Sequence, residues 1–179
     1  MSDSPASVPP SAPQSADCGE TYGFLLLRLW LGLRALIAGI EKFGDTRLKQ
    51  IPLLDASGEP DISGANVEVQ EKFYAFSNYQ AVPDALRDKL ALEPLMPAWM
   101  TTPFYAVLGW LLIALGLTLL LGLWTRLSLL AMGLVYTALT VGLILLKQDA
   151  GISWLAIHIG LVAYALHLSK FNRFSLTRV

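Results

Sequence analysis

Residues 103–146, PFYAVLGWLLIALGLTLLLGLWTRLSLLAMGLVYTALTVGLILL, decide the fold. Arg126 is the one charged residue in them, and no Asp, Glu, Lys or Arg lies between Glu93 and Arg126. A helix needs about 20 apolar residues to cross a hydrocarbon core. This stretch offers two such helices, 103–124 and 127–146, hinged at Trp124-Thr125-Arg126. A helix on the core of a water-soluble protein keeps a polar face at 3.6-residue spacing. Here Leu, Ile, Val, Ala and Gly run all the way round. Gly109, Gly116, Gly122, Gly133, Gly142 and Gly160 would weaken helices in water, whereas in lipid they let backbones approach each other.

Working outward, residues 22–40 (YGFLLLRLWLGLRALIAGI) and 150–169 supply two more crossings. The predicted fold is therefore all-α, an integral membrane four-helix bundle over 22–169. The linkers at 124–126 and 147–151 are short enough to force antiparallel neighbours. Composition agrees, since 54% of the 179 residues are hydrophobic and mean hydropathy is +0.52, against about 45–50% apolar residues in soluble domains. A formal net charge of −1 and no nucleic-acid motif argue against nucleic acid as a partner.

Residues 1–21 are rich in Ser, Pro and Ala, contain no Lys or Arg, and read as a disordered tail without a signal segment. Cys18, the single cysteine, can make neither an internal disulfide nor a cluster. The loop 41–102 is different. It is too long to be structureless and holds ten acidic and six basic residues, so it is expected to fold as a cap over one mouth of the bundle. Turns are expected at 55–60 and short helices at 67–79 and 84–92. Phe73, Phe76 and Tyr79 would share a face of the first, and with Trp99 they form the candidate partner-docking surface.

Short loops set orientation through their Lys and Arg content. Arg126 and the basic tail 170–179 (Lys170, Arg173, Arg178) fall on one side, while Lys147 opposite is offset by Asp149. Both termini are thus placed in the cytoplasm and the loop 41–102 outside, in what reads as a bacterial inner membrane.

Charge at membrane depth costs about 2.5–3.5 kcal/mol or more for an arginine near a helix centre, so each such residue needs a reason. Arg28 is close enough to its helix end to snorkel. Arg34 lies roughly 18 Å along the helix from Tyr22 at 1.5 Å per residue, too deep for that. Glu41, seven residues on, projects from nearly the same face. His158 lies mid-helix and is expected either to bond a hydroxyl of Tyr136, Thr137 or Thr140 or to contact a ligand; His167 lies on the opposite face, near the end. Two such separated histidines and one cysteine give no metal set, and no cofactor is expected to be held by this chain alone. Arg34, Glu41, Tyr136 and His158 form the candidate polar cavity. They would suit a quinone, whose tail needs an apolar groove and whose carbonyls need donors, with His or Glu to move protons. They would equally serve as polar contacts holding helices in register.

The first span and its charged end (RLWLGLRALIAGIEKF) resemble the opening helix of the DoxX/DoxD-like membrane proteins, with Gly39-Ile40-Glu41-Lys42-Phe43 matching the family's Gly-x-x-Lys-Phe ending. Gly122-Leu-Trp-Thr125-Arg126 is similar to the family's turn between helices two and three. The glutamate many members carry early in helix two is missing from Leu108-Gly109-Trp110. The resemblance implies a small membrane subunit of a redox system, linking an extracytoplasmic partner to the quinone pool. The rival expectation is a non-catalytic accessory subunit of a larger membrane complex. A small-molecule transporter has less support, because no span looks broken.

Overall fold

The computed structural model describes residues 16–54, 57–59 and 63–176. Four long helices dominate: α1 (Ala16–Ile40), α3 (Ala98–Leu121), α4 (Thr125–Leu145) and α5 (Asp149–Leu168). All four are long and apolar enough to cross a membrane. Each turns large apolar side chains outward, among them Trp30, Trp110, Leu134 and Ile157, more than half exposed. Such a girdle would be a liability in water and suits a lipid environment.

Between α1 and α3 the chain builds an antiparallel hairpin, β1 (Gly44–Pro52) and β2 (Asn66–Tyr74), and a short helix, α2 (Asp84–Ala91). Register runs from Gly44 opposite Tyr74 to Pro52 opposite Asn66. The all-α expectation is corrected here. Residues 67–79 do not form a helix; they are strand through Tyr74, then a 3₁₀ turn, Phe76–Asn78. The reason lies in the period. Val67, Val69 and Phe73 alternate with Glu68, Gln70 and Lys72, a two-residue repeat carried by β-formers, and the Phe73–Phe76–Tyr79 spacing masked it. The expected second helix is present as α2, started by Pro83. Of the turn expected at 55–60, Ser57–Glu59 form a turn; the rest lies outside the described residues.

Two boundaries also shift. α1 begins by Ala16 rather than Tyr22, because no proline interrupts 16–21, and Thr21 is already buried. Residues 1–15 of the expected tail, and Arg178, lie outside the described residues. α3 begins at Ala98, so Pro103 sits inside it, leaving the Trp99 carbonyl without its i+4 donor.

The helices form a ring in which α1 and α4 each contact α3 and α5. The α1–α3 seam is the tightest: a Cβ on Gly116 would stand 2.6 Å from the Leu36 nitrogen, so only glycine permits that approach. The solid core lies toward the end where the chain terminates, built of Phe24, Leu31, Leu119, Leu129, Met132 and Ala165, each at most 1% exposed. Toward the hairpin end the helices enclose a cavity instead.

Candidate functional site

The cavity, about 580 Å³, lies between the hairpin-side halves of α1, α3, α4 and α5. α2 roofs it with Leu86 and Leu90, and the residues leading into it add Val82 and Pro83. Aliphatic and aromatic groups make most of the wall. Arg34, Lys42, Tyr136 and His158 are the notable polar lining, and among the described residues no carboxylate lines it.

Each of these residues is placed by helix geometry. Arg34 and Ala38 share the inward face of α1 at four-residue spacing, and the 3₁₀ turn that follows directs Lys42 to the same cavity. Among the described residues no acid pairs with Arg34 or Lys42. Tyr136 on α4 is buried and within electrostatic reach of the Arg34 guanidinium. It meets the His158 ring edge-on, with centroids 5.7 Å apart. His158 is 5% exposed. Its Nδ1 lies 2.8 Å from the Trp154 carbonyl oxygen. A carbonyl only accepts, so Nδ1 carries the proton and the neutral ring keeps a bare lone pair on Nε2. That Nε2 is buried and has no hydrogen-bond partner.

The expected bond from His158 to a hydroxyl of α4 is therefore corrected. Thr137 donates to Gly133 O and Thr140 to Tyr136 O, each satisfied within its own helix, while His158 turns to its own preceding turn. Glu41 also departs from expectation. The backbone tightens into a 3₁₀ turn at Glu41–Phe43, so α-helical periodicity no longer predicts its direction. It stands at the rim, paired with Lys72 and accepting the Tyr74 hydroxyl at 2.8 Å. Its neighbour Lys42 takes the inward place. The sequence signal for Lys42 was present in its spacing of eight from Arg34. His167 is exposed near the end of α5.

The loop aromatics divide. Phe73 lies beneath the Arg47 guanidinium, 5.2 Å from carbon to ring centre. Phe76, 79% exposed, stacks on Trp110, and both contact Phe43. Trp99 is exposed in the first turn of α3. Tyr79 does not face outward for docking. Its hydroxyl enters the α3 ladder, donating to Tyr105 O and accepting from Gly109 N–H at 3.1 Å, the two ends of one i→i−4 rung. Gly109 leaves the room, since a Cβ there would meet the tyrosine ring at 2.6 Å. Tyr79 thus pins the cap to the bundle.

On the hairpin, Arg47 and Lys49 both hold Glu71. These bonds, that from Arg47 first, draw the Glu71 carboxyl below its ordinary value, while the Glu41 bond raises Lys72. At the opposite end Arg28 is buried rather than snorkelling. It donates to Phe174 O at 2.6 Å and to Asn172 Oδ1 at 3.2 Å, and Asn172 in turn donates to Thr125 at 3.0 Å.

Fold and site define a class: a bundle of four membrane-length helices, sealed at one end and capped over a cation-lined apolar cavity at the other. No protein-family model, curated protein or solved structure matches the chain.

Proposed function

We propose that this chain is a DoxX-like integral membrane subunit whose cavity receives the head of a quinone, linking the quinone pool to an extracytoplasmic redox partner at the hairpin end. The observation that carries the reading is the buried, unpartnered Nε2 of His158 in the wall of an apolar cavity. A buried polar atom without a partner costs about 1–3 kcal/mol, a cost that a ligand hydroxyl would remove. On this reading Nε2 accepts the proton of a quinol hydroxyl, while Arg34 and Tyr136 donate to the second oxygen. The volume falls within the roughly 300–1,000 Å³ of small-molecule sites. The basic residues near the sealed end support an orientation with both termini in the cytoplasm, and on this reading the membrane is a bacterial inner membrane.

The test is to purify the chain in native lipid discs and extract what it holds. Quinone at near-stoichiometric yield, lost in His158→Ala and Arg34→Ala, is the expected result. Quinone-free protein with an empty or differently filled cavity overturns the reading.

One observation favours the accessory-subunit reading. The hairpin exposes Leu48, Ile51, Val67 and Val69, and a two-stranded ribbon is only marginally stable alone. A stable complex through the hairpin, with turnover indifferent to Arg34 and His158, would establish that reading instead.

A further inference from the structure

We infer that the occupant of this cavity carries a negative charge: it is an organic anion on an apolar tail. The inference rests on reading the cavity as a ligand site and adds the head-group chemistry that the site selects. Arg34 and Lys42 both line it, no carboxylate does, and neither cation has an acidic partner among the described residues. Arg34 is exposed to the cavity and Lys42 is half-buried in its wall, so two like charges face one apolar space, and a neutral head leaves their repulsion and their unpaired charge standing. An anion removes them. Four cations of the cap outside the cavity differ: Arg47, Lys49, Lys72 and Arg87 each have a carboxylate within 3.1 Å.

The anion belongs to the α1 wall. With Nδ1–H on the Trp154 carbonyl, a His158 ring in its neutral form offers only a lone pair at Nε2 and takes no part in holding it. That leaves His158 available for a hydroxyl on the same ligand. The rest of the lining, including Leu86, Met100, Phe104 and Leu139, is suited to an alkyl chain. Two chemical sources fit: a hydroxyquinone ionised at neutral pH and a long-chain carboxylate.

The experiment uses the full chain in phosphatidylcholine nanodiscs, with empty discs as the partition blank. The probes are two matched pairs: a 2-hydroxy-3-alkyl-1,4-naphthoquinone against its 2-methoxy ether, and dodecanoate against methyl dodecanoate. The expected result is at least tenfold tighter binding of the charged member of one pair or both, with the preference abolished in the Arg34→Gln/Lys42→Gln double variant, which still binds the neutral member. Preference in the quinone pair assigns the anion to a quinone head; preference in the fatty-acid pair alone assigns it to a carboxylate and removes the quinone. Equal binding within both pairs, or tighter binding of the ether or ester, overturns the inference and leaves the cavity reading standing. A charge preference that survives the double variant also overturns it. If none of the four probes binds above the blank, the cavity reading itself fails.

Discussion

Arg28 and Arg34 stand six residues apart on α1 and have opposite surroundings. Arg28 is 5% exposed and closes the sealed end by binding the C-terminal segment, which Asn172 ties on to Thr125 of α4. Arg34 opens into the cavity and has no acidic partner among the described residues. One guanidinium serves the fold through its Nη1, which closes the seal. The other faces the cavity, where on the ligand reading its charge is left for an occupant. The same division runs through the two halves of the bundle. The sealed half is packed solid, with Ser128 donating to Thr118 to join α4 to α3. The capped half gives up packing for space.

Glycine substitutions should break this comparison most sharply. Gly122 sits at φ +73, and a Cβ there would stand 2.8 Å from Arg28 Nη1 and 2.9 Å from Phe174 O. Gly122→Ala is expected to lose about 1–2 kcal/mol from left-handed backbone strain. Overpacking against the seal would add about 1–3 kcal/mol. Gly142, on the cavity wall, would bring its Cβ no nearer than 3.4 Å to Met96. Gly142→Ala should leave the melting temperature almost unchanged. Equal melting losses in detergent for both variants would show that the two ends are packed alike.

The arginines give the next largest effect. Arg28→Ala abandons a backbone carbonyl and Asn172, and hydrogen bonds to charged groups are worth about 1.5–3 kcal/mol. Arg34→Ala abandons no protein partner, so thermal stability should hold or rise while ligand retention falls. A large melting loss for Arg34→Ala would place it with Arg28 as a structural group. Tyr79→Phe comes third. It removes the hydroxyl from the Gly109–Tyr105 rung, which can then close directly, so the expected cost is about 0.5–1.5 kcal/mol. Amide exchange at Gly109 and across α2 reads this out; unchanged protection in α2 would show that Tyr79 does not pin the cap.

The four long apolar helices were legible because an apolar run of some twenty residues with little or no charge has few other uses. Boundaries were less so, since Ala16–Thr21 is helical without being apolar. The turn motif acquires a cause: Gly122 supplies the left-handed cap, and Thr125 accepts from Asn172. Arg34, Tyr136 and His158 were identified together because an ionisable or polar group at depth stands out against a blank wall. Lys42 takes the inward place expected of Glu41 because the 3₁₀ turn at Glu41–Phe43 redirects both side chains; spacings of seven and eight from Arg34 both fit one helix face, so spacing alone does not choose between them. The hairpin was hidden by its own composition. β2 carries a two-residue alternation, but nearly all residues of both strands are exposed, so no buried face sets that alternation apart from the helical spacing of Phe73, Phe76 and Tyr79. The Arg28 seal pairs residues more than 140 positions apart, and nothing local in either segment announces the other.

The smallest effect should come from the hairpin, which extends the capped half beyond the bundle. Glu71 titrates below its ordinary value of 4.5 because Arg47 and Lys49 bond its ionised form. A depressed carboxylate stabilises the folded form above its unfolded pKa and loses that contribution as pH falls through the folded one. Lys72 is raised above 10.5 by Glu41, so its contribution is present below that value and lost as pH climbs through the raised one. Both pairs therefore stand intact between about pH 4.5 and 10.5 and weaken at either extreme. These groups are solvent-exposed, and exposed pairs add little to global stability. Cross-strand amide protection from Gly44–Pro52 to Asn66–Tyr74 should fall on acidification below pH 4.5, and Glu71→Gln should reproduce the loss at neutral pH. The melting temperature of the four long helices should not move in either case. If it did, the hairpin would be part of the same cooperative unit as the sealed end, and the division between a finished half and an open half would have to be redrawn at the base of β1 rather than at the cavity floor.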